Sequence, residues 1–178
     1  LGRIEVICGS MFSGKTEELI NRIKKSKKSY KVFKPNTDTR NEKNKIKSHS
    51  KVEIDATTIN DVNDILNFKD KFEIIGIDEA QFFSNDIVSV CNNLANNGVR
   101  VIIAGLDMDF SGKPFGPMPF LMAIAEDVTK VHAECSETGE PALYSYRKVN
   151  NSETVMIGEK KEYKPLSRKA YISKSKKK

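Results

Sequence analysis

The chain has 178 residues, 38% of them hydrophobic and 30% charged, with a formal net charge of +6. That balance belongs to a folded, globular chain of one ordinary domain and excludes a disordered or fibrous one. No apolar run approaches the ~20 residues a membrane span needs.

The opening "LGRIEVICGS" lacks the basic and apolar regions of a secretory signal, so a cytoplasmic location is expected. "RIEVIC" reads as a strand, Thr16 to Ser29 as a helix with Leu19, Ile20 and Ile23 on one face, and "YKVFKP" as a second strand. The polar, lysine-rich stretch from Asn36 to Lys51 reads as a mobile loop, with His49 a solvated histidine inside it. "KVEIDA" is a candidate strand, Ile59 to Phe68 a short helix, and "FEIIGI" a strand apolar on both faces. A helix over Ile87 to Leu94, stopped by "NNG", leads to another doubly apolar strand, "VRVIIAG". Repeated strand–helix alternation with near-continuous apolar strands predicts an α/β fold: a parallel sheet flanked by helices. After Glu126, "VTKVHAEC", "PALYSYRKV" and "ETVMI" predict short strands joined by "SETGE" and "NNS". The expected organisation is a nucleotide-binding domain over residues 1–126, a small β appendage over 127–172 and a frayed basic tail over 173–178.

Three cysteines, Cys8, Cys91 and Cys135, are too few and too scattered for a disulfide framework and fit a reducing compartment. Cys8 and Cys91 read as small buried fillers. The basic clusters "RIKKSKKSYK", "NEKNKIKSHSK" and "SKSKKK" read as a solvated helix face, a loop and a tail rather than a nucleic-acid surface.

Gly9 to Thr16 spells "GSMFSGKT", the pattern G-x-x-x-x-G-K-[ST] between a predicted strand and a predicted helix. Glycines let backbone wrap closely around phosphate, and the helix contributes the positive end of its dipole. Gly9, Ser10, Met11, Phe12, Ser13, Gly14, Lys15 and Thr16 are therefore candidate ATP contacts, with Lys15 for the β/γ-phosphates and Thr16 for Mg²⁺. Ligands of open parallel sheets bind beyond the carboxyl ends of the strands. "FEIIGIDE" thus delivers Asp78 and Glu79 to the edge that carries Lys15. Asp78 is the second candidate for the metal, and Glu79 is left to accept a proton. A base beside ATP activates either a substrate hydroxyl, giving a kinase, or water, giving an ATPase acting near nucleic acid. The intact set Lys15, Thr16, Asp78 and Glu79 argues against a binding module without turnover.

"GSMFSGKT", "DTR", "IGIDEAQFF", "GLDMDF" and "KPFG" occur in this order, and together they resemble the small thymidine kinases of the human-cytosolic-like and bacterial type. The resemblance runs from about Glu5 to Tyr163 and is densest before Glu126. It implies a RecA-like P-loop sheet and transfer of the γ-phosphoryl group of ATP to the 5′-hydroxyl of thymidine, with deoxyuridine a further candidate substrate, in nucleotide salvage. It implies that Glu79 is the catalytic base, that Gln81 is counted with the ATP-binding residues, and that Phe82 rather than Phe83 meets the ligand. Met11, Leu106, Phe110 and Phe115 match the walls of the thymine pocket. Ser145, Gly158 and Tyr163 match positions around a nucleoside-closing lasso that fits Thr154 to Tyr163, and Asp38 and Arg40 match a phosphate-side pair. A homotetramer is a further implication.

The resemblance also implies a structural zinc held by two Cys-x-x-Cys pairs. Here the first pair aligns as His132 and Cys135, the second as Ser167 and Ala170, and the last two are not useful zinc ligands. The expectation is an appendage without zinc, a degenerate zinc ribbon packed by Leu143, Tyr144, Val149, Val155 and Ile157.

Overall fold

The computed structural model describes residues 2–37, 44–47, 52–148 and 162–176. Its centre is a six-stranded, wholly parallel sheet. β1 (Arg3–Cys8), β2 (Tyr30–Pro35), β5 (Thr57–Ile59), β6 (Ile74–Ile77), β7 (Arg100–Gly105) and β8 (Asp127–Lys130) lie in the order β5-β2-β6-β7-β1-β8. The apolar runs seen in the sequence become doubly buried strands: Val6, Ile7, Ile75, Ile77, Ile102 and Ile103 have no exposed surface. α1 (Lys15–Ser26) covers one face, packing Leu19, Ile20 and Ile23 with Ile7, Val32 and Ile102. α2 (Asp86–Asn96) covers the other, with Ile87, Val90, Cys91 and Leu94 against Val6, Ile77 and Ile103. Phe83 belongs to that second core.

Several elements differ from expectation. α1 ends at Ser26 rather than Ser29 because Lys27 adopts a left-handed backbone, φ 55°. The lysine-rich stretch is not all loop: β3 (Lys45–Lys47) pairs antiparallel with β4 (Glu53–Asp55), burying Ile46 against α1's face of the sheet. The expected helix before β6 is a 3-10 helix, Val62–Phe68, capped by the Asp61 side chain. α3 (Met118–Ile124) has no counterpart in the reading above, since Pro117 and Pro119 obscure its start. The strand read as the first of the appendage, "VTKV", is the sixth of the main sheet: β8 pairs in register with β1, from Glu5–Asp127 to Cys8–Lys130.

The smaller unit contains β9 (Ala133–Glu134) paired with β10 (Pro141–Ala142), and β11 (Tyr144–Arg147) paired with β12 (Tyr163–Leu166). A final helix, α4 (Arg168–Ser175), spans the end of the expected appendage and runs into the residues read as tail. Ala133, Cys135, Ala142, Leu166 and Ala170 form its core, with Phe12, Tyr146 and Tyr171 packed against them. Tyr144 stacks on Tyr171 at 4.2 Å between centroids, whereas Leu143 is only half-buried. Of the residues expected to pack this unit, Tyr144 is buried and Leu143 partly so. Val149, Val155 and Ile157 lie outside the described residues, as do His49 and most of the lasso segment.

One ionic hub stitches the sheet to α1. Glu5, on the inner strand β1 and only 4% exposed, receives Arg100 Nε at 2.7 Å, Arg100 Nη2 at 3.0 Å and Arg22 Nη1 at 3.0 Å. Arg3 approaches it at 3.3 Å. Burial pushes its carboxyl up, but the Arg100 hydrogen bonds and charge, with Arg22 and Arg3, outweigh that and hold it below the usual carboxylate range.

Candidate active site

β1 runs directly into the phosphate loop. Gly9 takes φ 148°, and a Cβ there would fall 2.2 Å from the Val131 carbonyl oxygen, so only glycine lets the loop leave the sheet so closely. Lys15 Nζ and Ser13 Oγ both donate to the Ser10 carbonyl at 2.7 Å. The backbone N–H of Met11 donates to Ser145 Oγ of β11 at 2.9 Å, and Phe12 packs into the core of the small unit. The loop is thus tied to both halves of the chain.

The parallel sheet brings the end of β6 beside that loop. Asp78, 5% exposed, is anchored by its own N–H to the Phe33 carbonyl at 2.9 Å. Thr16 Oγ1 donates to its carboxylate, 3.1 Å from Oδ2 and 3.3 Å from Oδ1. A hydroxyl and a carboxylate converging beside a phosphate loop are hard oxygen donors of the kind Mg²⁺ prefers. Glu79 follows in a left-handed conformation, φ 53° and ψ 41°, half-buried at the sheet edge. Gln81 Nε2 donates to Glu79 Oε2, and Gln81 Oε1 accepts from the Leu106 N–H at 2.9 Å.

The loop after β7 forms an aromatic wall. Phe82 and Phe115 meet edge to face at 5.7 Å, both half-buried. The Arg147 guanidinium lies 3.8 Å from the centre of the Phe110 ring and donates to the Tyr163 hydroxyl at 3.1 and 2.9 Å. Tyr171 of α4 donates to the Phe110 carbonyl at 2.9 Å. The predicted residues Phe110 and Tyr163 are therefore brought together by a buried arginine that the sequence reading passed over. Strand alternation places Arg147 on the same side as Ser145, which is the signal that was available. Asp107, 6% exposed, pairs with Lys130 at 2.7 Å and was likewise missed. Asp38, Arg40 and Gly158 lie outside the described residues.

The aligned zinc positions carry other chemistry. Burial pushes the Cys135 thiol up, but it is overcome by hydrogen bonds from the Thr138 hydroxyl, the Ser167 and Glu137 backbone and the Ser167 hydroxyl, which bring it down to about 6. Thr138 and Ser167 hydroxyls are 3.3 Å apart, and Ser167 also caps α4 through the Ala170 N–H. Hydrogen-bond donors surround the Cys135 sulfur, and neither Ser167 nor Ala170 is a zinc ligand. These residues do not fit a four-ligand zinc.

The family model described as "Thymidine kinase" matches residues 2–171. The chain belongs to the thymidine kinase family. A thymidine kinase of Bacteroides fragilis is 55% identical over 173 residues, covering 96% of this chain and 87% of that protein. One from Porphyromonas gingivalis is 51% identical over 173 residues, 96% and 85% of the two chains. One from a Rhodothermus species is 45% identical over 174 residues, 96% and 82%. Among solved structures, the replication initiator DnaA bound to AMPPCP and single-stranded DNA aligns with 74% of this chain and 40% of its own, at 14% identity and a TM-score of 0.43. Among the described residues of this thymidine kinase family member, no helix is long and apolar enough to cross a membrane.

Proposed function

We propose that this chain transfers the γ-phosphoryl group of ATP to the 5′-hydroxyl of thymidine, with Glu79 as the general base. Family membership favours this over an ATPase acting near nucleic acid. The observation that carries the residue assignment is the contact between Thr16 and Asp78: it joins the phosphate loop to the acidic strand end and leaves the next carboxylate, Glu79, at the same edge.

In this reading Lys15 and the loop N–H groups hold the β- and γ-phosphates and offset charge as the phosphoryl group moves. Thr16 and Asp78 would hold Mg²⁺, which supplies charge neutralisation on the phosphates. Glu79 takes the proton of the 5′-hydroxyl, and that oxygen attacks the γ-phosphorus as ADP departs. Phe82, Phe110, Phe115, Leu106 and Met11 line the nucleoside side, with Arg147 holding Phe110 and Tyr163 from behind. Asp38, Arg40 and Gly158 complete the set on the grounds of resemblance alone. We further infer a zinc-free small unit, a homotetrameric assembly and a cytoplasmic place of work.

Glu79→Gln keeps size and polarity but cannot accept the proton. Its thymidine-dependent ADP release should fall by ~10²–10⁴ in kcat, the usual worth of a positioned base, with ATP binding nearly unchanged. A variant working at the parent rate removes Glu79 from the role.

A further inference from the structure

We propose that Gln81 is a positioning residue: its side-chain amide fixes the carboxylate of Glu79 against the end of β7 in the orientation that meets the substrate hydroxyl. The inference rests on Glu79 being the base.

The amide bridges two elements. The Leu106 backbone N–H is a donor only, so the amide atom it meets must be the oxygen. That choice turns the NH₂ group toward Glu79, where it donates to Oε2. The direction of the bridge is therefore dictated by backbone chemistry and not by an arbitrary flip of the amide. Gln81 is only 2% exposed, so its conformation is set by the surrounding protein. Gly105 keeps the slot open, because a Cβ there would lie 3.0 Å from Gln81 Oε1 and 2.6 Å from Met118 Sδ.

The base needs such support. Glu79 is one of only three non-glycine residues with positive φ among those described, and its backbone sits in a region that side-chain-bearing residues seldom adopt. The Phe82 N–H donates to the Glu79 carbonyl at 3.1 Å, closing the turn that holds this conformation. That bond fixes the main chain only. The Gln81 amide fixes a carboxylate oxygen, two residues along the same turn. Strand end, tight turn and glutamine thus form one rigid mount for a proton acceptor, and small displacements of such a group are costly to catalysis.

The test compares Gln81→Leu, Gln81→Met and Glu79→Gln with the double variant Gln81→Leu/Glu79→Gln, by steady-state kinetics with ATP and thymidine. Gln81→Met keeps the length of the side chain but has no NH₂ group to offer Glu79, so it serves if Gln81→Leu does not fold. Its double with Glu79→Gln then completes the cycle. Each Gln81 variant should lose ~10–100-fold in kcat, with KM for both substrates within about twofold of the parent; a larger rise in KM for ATP overturns the positioning role in favour of the ATP contact that the resemblance implies. In the Glu79→Gln background the Gln81 substitution should cost nothing more, since there is no base left to orient. Parent-like kcat in the Gln81 variants, alongside a collapse in Glu79→Gln, overturns the positioning role and leaves the base intact. Losses that multiply in the double variant also overturn it, because they mean Gln81 acts by some route other than Glu79. Parent-like activity of Glu79→Gln overturns both readings.

Discussion

Replacing Glu5 by Gln should loosen the fold by removing one charge from the middle of the main sheet. The substitution preserves shape, so no cavity forms. What changes is the company of the two arginines. Arg22 retains Glu18 at 2.8 Å, Asp127 at 3.0 Å and the Thr129 hydroxyl at 2.7 Å. Among the described residues Arg100 has no second carboxylate within reach, though its side chain is about a third exposed and water relieves part of the loss. Breaking a fully buried pair costs about 3–5 kcal/mol, and with one arginine re-partnered and the other partly hydrated the expected loss is about 2–3 kcal/mol. For a chain of this size that lowers Tm by about 5–10 °C. The pH dependence is a second handle. Because the folded carboxyl titrates below its unfolded value, its contribution is full at neutral pH, above the ordinary glutamate value near ~4.3, and is lost as pH falls through the lower, folded value. Urea unfolding of parent and variant at neutral pH, and again in steps toward acid, measures the gap. A gap under about 0.5 kcal/mol at neutral pH would refute the reasoning. So would a gap that stays constant into acid.

Arg147→Met should raise KM for thymidine by about tenfold, equivalent to ~1.4 kcal/mol, with a smaller effect on kcat, because it frees the Phe110 ring and leaves the buried Tyr163 hydroxyl without its two donors. Unchanged KM for thymidine in saturating ATP would show that this arginine only packs. Protein purified without added zinc should carry substoichiometric zinc by elemental analysis, since Cys135 is enclosed by Thr138 and Ser167; near-stoichiometric zinc that resists dialysis would show that other ligands were overlooked.

The parts of this molecule legible in its sequence are those fixed by short covalent spacing. "GSMFSGKT" and "FEIIGIDE" each carry their chemistry within one strand–turn unit, so the edge of the sheet where Lys15, Thr16, Asp78 and Glu79 sit could be read directly. The apolar strands were equally plain. Long-range choices were not. "VTKV" has the alternation of a half-buried strand, and nothing local says whether such a strand joins the main sheet or a smaller one. Ile46 is a single apolar residue among lysines, too little signal to announce β3. Arg147 was hidden because a charge in a strand reads as solvated until its ring partner Phe110, far away in sequence, is placed over it. The Gln81 bridge depends on which backbone N–H faces its side chain, a fact of register between two strand ends that composition does not carry.

The bond from the Met11 N–H to Ser145 Oγ has a thermodynamic consequence. Under the proposed function, the loop that cradles phosphate and the strand that flanks the nucleoside share one amide proton, so neither can shift without taxing the other. Free-energy linkage is symmetric: whatever a nucleotide does to the affinity for nucleoside, the nucleoside does to the affinity for nucleotide, by the same factor. Under the proposed function this shared bond is a route for such coupling, and Ser145→Ala should weaken it, read as a smaller effect of ATP on thymidine affinity than in the parent.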